Sequence, residues 1–335
     1  MKTKISYSLL AAAMACGLAY GQTTAYTTPV GYVSLGDTTT GQPAVKANTD
    51  VWISIPLAKS PIFAGPISSV VGSTINLAGS PALGDLLLVP HTVTIQTGVG
   101  EGIVAMITAN TANSVTISVP PGDSLAGVVS PDQVKIAPAW TVVGLLGTSL
   151  GIGTTLFTYP STSALNPSSE GIYDFDGINW IDSVNTGAAA DNDILFPGET
   201  LVLRNGTNTP IPSLVITGEV PTANSRIVVS ANGASGADNA ISYFSPVGES
   251  IGNSSLSAFA QTGDTLFGFD NNAPGINKSS SSIHDYDNGD WIDSVNSGSA
   301  DNEFPLGVGQ GFILRRNGVR TQAIWSDKQS FRPLP

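Results

Sequence analysis

The chain has 335 residues, 41% of them hydrophobic and only 11% charged, and its net charge is −12. That hydrophobic share excludes a disordered chain, and an acidic balance without any basic run excludes nucleic acid and anionic membrane surfaces as partners. The 37 Gly and 22 Pro are spread along the whole length, which leaves little room for long helices and favours short strands between turns.

The first expected element is a Sec export signal. Lys2 and Lys4 precede an apolar run over residues 5–15, and Ala19-Tyr20-Gly21 places small residues where a signal peptidase reads, so cleavage is expected before Gln22. The apolar run is too short for a membrane span, and no transmembrane segment is expected in the mature chain. Losing Lys2 and Lys4 takes the net charge from −12 to −14. The only cysteine, Cys16, lies inside the signal. Ala13-Met14-Ala15-Cys16 loosely matches a lipoprotein box, whose processing would lipidate Cys16. Otherwise the mature chain has no cysteine, hence no disulfide and no thiolate site. The expected location is extracellular, cell-surface or periplasmic.

Residues 22–60 read as opening strands, around Val30-Gly31-Tyr32-Val33-Ser34-Leu35 and Val51-Trp52-Ile53-Ser54-Ile55, expected to pair with the C-terminal domain. Residues 61–139 carry closely spaced strand candidates at 67–71, 74–77, 86–89, 92–96, 103–108, 114–119 and 133–136, separated by turns such as Pro120-Pro121-Gly122-Asp123. This spacing suggests a small barrel or sandwich. Val115, Ile117 and Val119 alternate with Thr116 and Ser118, which gives one buried and one wet face.

From residue 140 onward the chain repeats itself. Tyr173-Asp174-Phe175-Asp176-Gly177-Ile178-Asn179 before Trp180 returns as His284-Asp285-Tyr286-Asp287-Asn288-Gly289-Asp290 before Trp291, and Trp-Ile-Asp-Ser-Val-Asn follows at 180–185 and 291–296. The shift is 111 positions. In the flanks, Thr155-Leu156-Phe157 answers Thr265-Leu266-Phe267, Asp191-Asn192 answers Asp301-Asn302, Phe196-Pro197 answers Phe304-Pro305, and Arg204 answers Arg315. Turn formers ahead of each tryptophan signal a hairpin, with the tryptophan opening the return strand. The fold class read from this is all-β: a small barrel or sandwich domain inserted ahead of a larger antiparallel sandwich over 140–335, internally duplicated with copies at about 140–220 and 241–320.

Several strings are similar to a family of uncharacterised secreted β-rich proteins common in verrucomicrobial-type bacteria. They are Thr28-Pro29-Val30-Gly31-Tyr32-Val33, Ile107-Thr108-Ala109-Asn110-Thr111-Ala112-Asn113, Trp140-Thr141, Val215-Ile216-Thr217-Gly218-Glu219-Val220-Pro221-Thr222 and Gly275-Ile276-Asn277-Lys278-Ser279. The resemblance implies a signal peptide followed by a β-rich body and no activity. The aspartates around both tryptophans depart from its pattern.

The aspartates of the repeat are the sharpest chemical candidates. Asp174, Asp176 and Asp182, with Asp285, Asp287 and Asp293, would offer the hard oxygens that Ca2+ takes; Asp and Asn also cap turns and keep a weakly charged surface wet. Trp180 and Trp291 would stack on a sugar if exposed and serve the core if buried. Paired carboxylates could hydrolyse glycosides at the right separation. Gly147-Thr148-Ser149-Leu150-Gly151 matches a nucleophile elbow, but no helix is expected after it, and His91 and His284 are the only histidines. An outer-membrane barrel would need longer alternating strands. The expected function is therefore that of an exported, non-enzymatic surface, matrix or envelope protein, with self-association or surface glycans as its partners. The alternative is a calcium-stabilised carbohydrate-binding or carbohydrate-acting module.

Overall fold

The computed structural model describes residues 29–36, 42–159, 165–243 and 245–327. The export signal and Cys16 lie outside them. The chain is all-β: a closed six-stranded barrel and several antiparallel sheets, with two five-residue helices among the described residues. None of its described helices is long and apolar enough to cross a membrane.

Alternation builds the barrel. Phe63–Val71, Thr74–Leu77, Ser114–Ser118, Val104–Asn110, His91–Ile95 and Gln133–Pro138 close in that order. Inward positions such as Ile67, Ile75, Val93, Ile95, Val115, Ile117, Val134 and Ile136 fill the interior, as expected for a barrel too narrow to hold a channel. The register shifts at Ser68 and at Thr108; such bulges let a short sheet bend into closure. The strand expected at 86–89 does not form. Leu86 is buried, but its N–H goes to the Asn110 side chain and that of Leu87 goes to Asp85, so Leu87, Leu88 and Val89 stand outward in a loop.

The remaining elements form two matching sets. Thr49–Ile53, Leu201–Asn205, Thr154–Thr158, Gly171–Phe175 and Trp180–Asp182 make one five-stranded sheet in that spatial order. Ala237–Ser242, Gly311–Arg316, Thr265–Gly268, Ser282–Asp287 and Asp290–Asp293 make the other. Each sheet has a two-stranded ribbon: Val30–Leu35 with Leu214–Glu219, and Ser225–Val229 with Ala323–Asp327. Each also has a short pair, Trp140–Thr141 with Ile194–Leu195 or Glu249–Ser250 with Pro305–Leu306. One helix, Val142–Leu146 or Ser255–Phe259, completes each set. A first unit thus runs from Val30 to Glu219 and a second from Ser225 to Asp327. Both exceed the copies drawn at 140–220 and 241–320: the first unit's ribbon strand and edge strand precede the barrel in the chain, and the second unit's ribbon strands lie outside 241–320.

The two sheets share one cluster. Leu156, Leu201 and Leu203 face the first unit's own core, while Phe157 and Val202 between them face outward. In the second unit, Leu266, Phe312 and Leu314 face inward, and Phe267 and Ile313 outward. The outward residues meet around Trp52, whose ring stacks 3.8 Å from that of Phe269. Strand alternation therefore gives each sheet two apolar faces, one for its core and one for its partner.

The barrel is tied down at its entry and along its flank. Trp140 donates its indole N–H to the Leu57 carbonyl at 2.8 Å, and the Lys59 ammonium lies 3.7 Å over the Trp140 ring. Lys135 pairs with Glu219 of the first ribbon, and Asp123 with Arg226 of the second.

Candidate functional site

The repeated hairpins bury their tryptophans. Trp180 and Trp291 are 0% exposed, so neither offers a ring face to a sugar. The physical reason is that each opens its return strand pointing into the unit's own core, where its N–H groups have partners. Trp180 donates its indole N–H to the Gly147 carbonyl and its backbone N–H to Asp191. Trp291 donates them to Ser257 Oγ and to Asn302. This fixes the true correspondence of the flanks: Asp191 matches Asn302, not Asp301, and Leu195 matches Leu306 through their pairing with Trp140 and Glu249.

The six aspartates do not gather around a common point. Among the described residues no three His, Cys, Asp or Glu side chains are placed to hold a metal ion. Asp174 accepts the Thr155 and Ser183 hydroxyls, and Asp285 those of Thr265 and Ser294. Asp182 accepts the backbone N–H groups of Val184 and Asn185, and Asp293 those of Val295 and Asn296. These N–H bonds, that of Asn185 or Asn296 first, hold both carboxyls below the usual range. Asp176 caps Ile178 and Asn179, the latter contributing most to its lowered pKa. Asp287 is exposed at a two-residue turn in which Asn288 and Gly289 both have positive φ, 51° and 103°, the backbone such a hairpin requires. Each carboxylate but Asp287 is thus engaged within its own unit: Asp176, Asp182 and Asp293 cap turns, and Asp174 and Asp285 hold hydroxyls, one of them on the neighbouring strand.

One acidic surround is uneven between the units. Tyr173 faces Asp193, Asp182 and Glu199, and burial first, then these charges, push its hydroxyl far above the usual range. Burial also raises Asp193 and pushes Glu199 up to about 7, with Glu170 adding to the latter. The second unit places His284 where the first has Tyr173. His284 is buried with Nε2 3.1 Å from Asp301, its ring 4.1 Å from Phe304, and Nδ1 without a hydrogen-bond partner among the described residues. Gln310 stands where the first unit has Glu199, directly before the Gly311 that opens its strand's pairing with Ser242.

No nucleophile–base pair forms from the expected parts. Ser149 follows the Val142–Leu146 helix and precedes a strand, the reverse of an elbow. His91 belongs to the barrel and is hydrogen-bonded through Nδ1 to the Leu86 and Val89 carbonyls, while His284 belongs to the second unit.

The strongest polar constellation is a reciprocal one. Asp50 takes two N–H bonds from Arg204, both at 2.8 Å, and one from the backbone of Asn277 in the other unit at 2.7 Å. Asp238 takes two from Arg315, at 2.7 and 2.9 Å, and one from Asn166 in the other unit at 2.9 Å. Both asparagines have positive φ, 48° at Asn166 and 54° at Asn277, which aims their N–H groups across the seam. Arg204 lies over Phe157 and Arg315 over Phe267. Sequence reading singled out both arginines as matched flanks but missed their partners. The signal that was present is Leu165-Asn166 answering Ile276-Asn277 at the same 111-residue shift.

Comparison with protein-family models, with curated proteins and with solved structures returned no match.

Proposed function

We propose that the chain is an exported, non-enzymatic protein of the cell surface, matrix or envelope that acts through assembly or binding. The observation that carries this reading is how the repeated residues are spent: tryptophans, hydroxyls and all but one of the repeat's candidate aspartates are tied into intramolecular bonds, as in a scaffold. The duplicated sequence, the paired sheets and the resemblance to secreted β-rich proteins point the same way. The signal over residues 1–21 supplies the export.

Expression with and without residues 1–21, followed by fractionation, tests the reading. The intact chain is expected outside the cytoplasm with Gln22 as its first residue, and the shortened chain inside. Retention of the intact chain in the cytoplasm would contradict it.

A further inference from the structure

We infer that a cleft between the two units binds one ring of a neutral sugar. It has a volume of about 320 Å3 and lies where Leu35 of the first ribbon meets Phe304 and Val308 of the second unit. Those three side chains are half-buried and make an apolar wall. Asp270, Asn272 and Ser282 make the polar side. One Asp270 oxygen accepts the Asn272 N–H, while its other oxygen, the Asn272 amide and the Ser282 hydroxyl have no hydrogen-bond partner among the described residues.

Gly268 makes room for two of the lining side chains, Ser282 and Phe304. A Cβ there would overlap Ser282 Oγ and approach the Phe304 ring at 3.2 Å. The first unit has the opposite arrangement: Thr158 occupies the position of Gly268, and its hydroxyl accepts the N–H of Gly171, which stands where the second unit has Ser282. The first unit therefore has no hydroxyl where Ser282 lines the cleft.

The lining selects the ligand class. A carboxylate oxygen repels anions, and the nearby ammonium groups are spent, Lys278 on the Asp270 and Ala273 carbonyls and Lys46 on that of Asn272. A single carboxylate does not hold a divalent cation. An apolar wall opposite a few convergent donors and acceptors fits a polyhydroxyl ring, with C–H groups on one face and hydroxyls at its edge. This inference rests on the reading of the chain as a binding protein.

Saturation-transfer NMR on the full mature chain tests it, with the methyl glycosides of glucose, galactose, mannose and N-acetylglucosamine as probes and putrescine as the cationic control. At least one glycoside should show transfer, and its affinity should fall at least about tenfold, roughly one good polar contact, in Asp270→Asn and in Asn272→Ala. Both positions are exposed, so unchanged melting should show that the variants fold. No transfer from any glycoside, transfer from putrescine alone, or equal binding by both folded variants would overturn the cleft and leave the exported, non-enzymatic reading standing. Release of free sugar in the same samples would contradict that reading and support the cleft.

Discussion

Truncating Asp50 should loosen the seam between the units. Asp50 is buried and receives two bonds from Arg204 and one from the Asn277 backbone. In Asp50→Ala, the Asn277 N–H loses its acceptor, and the guanidinium keeps the Asn277 side chain, at 2.6 Å, and its place over the Phe157 ring. Removing one partner of a buried pair costs about 3–5 kcal/mol. The Arg204 side chain retains 24% exposure and can recover some hydration, so the lower end, about 3 kcal/mol, is expected. For a chain of this size that is a fall in Tm of roughly 4–5 °C. Asp238→Ala should match it within about 1 kcal/mol, because the same three bonds are lost. Adding Arg204→Ala to Asp50→Ala should cost little more, giving a coupling of roughly 1.5–3 kcal/mol. Differential scanning calorimetry of the single and double variants measures all three quantities. A shift below about 2 °C in either single variant, or simple additivity of the Asp50 and Arg204 changes, would refute the clamp.

Glu199 gives a pH-dependent prediction. Its folded pKa of about 7 lies above the usual 4.5, so the folded state holds the extra proton and stability should fall as pH rises from about 4.5 to 7. Glu199→Gln, the residue type that the second unit carries at Gln310, should then stabilise by about 1–3 kcal/mol at pH 8 and by little at pH 4.5 in chemical denaturation; equal effects at both pH values would contradict this. Asp182 and Asp293 have the opposite sign, since their carboxyls are lowered: what they contribute is present above the usual carboxylate range and lost on acidification through their folded pKa. Trp180→Phe and Trp291→Phe should each cost about 2–3 kcal/mol through a lost indole bond and a partial cavity, read by urea unfolding. A cost near zero would mean that the rings are not held in the cores.

Local patterns were legible and distant partners were not. Val115 and Ile117, alternating with Thr116 and Ser118, marked a barrel strand because period-two alternation is a local property. The hairpins before Trp180 and Trp291 were legible for the same reason. The edge strand Thr49–Ile53 was expected to pair with the C-terminal part, and it pairs with Leu201–Asn205. What could not be read was which strand and which side chain these opening residues would meet, since the Asp50–Arg204 bond spans 154 positions. Apolar runs also mislead when side chains take the backbone N–H groups: residues 86–89 look like a strand, yet Asn110 and Asp85 claim the N–H groups of Leu86 and Leu87. Asp176 and Asp287 lie at the turns as expected and Asp182 and Asp293 cap the turns after them, whereas Asp174 and Asp285 sit within strands; whether they converge on an ion is a property of three-dimensional spacing that composition does not carry.

The central claim is that the repeated Trp-Ile-Asp-Ser-Val-Asn hairpins are architecture, with their carboxylates, Asp287 apart, committed to hydroxyl and backbone N–H groups. Calorimetry of the mature protein in millimolar Ca2+ and in chelator tests it most directly. The account predicts the same melting temperature in both, within about 1 °C. A calcium-dependent rise corresponding to about 2.7 kcal/mol or more, as expected for an ion bound at a hundredfold its Kd, would contradict it.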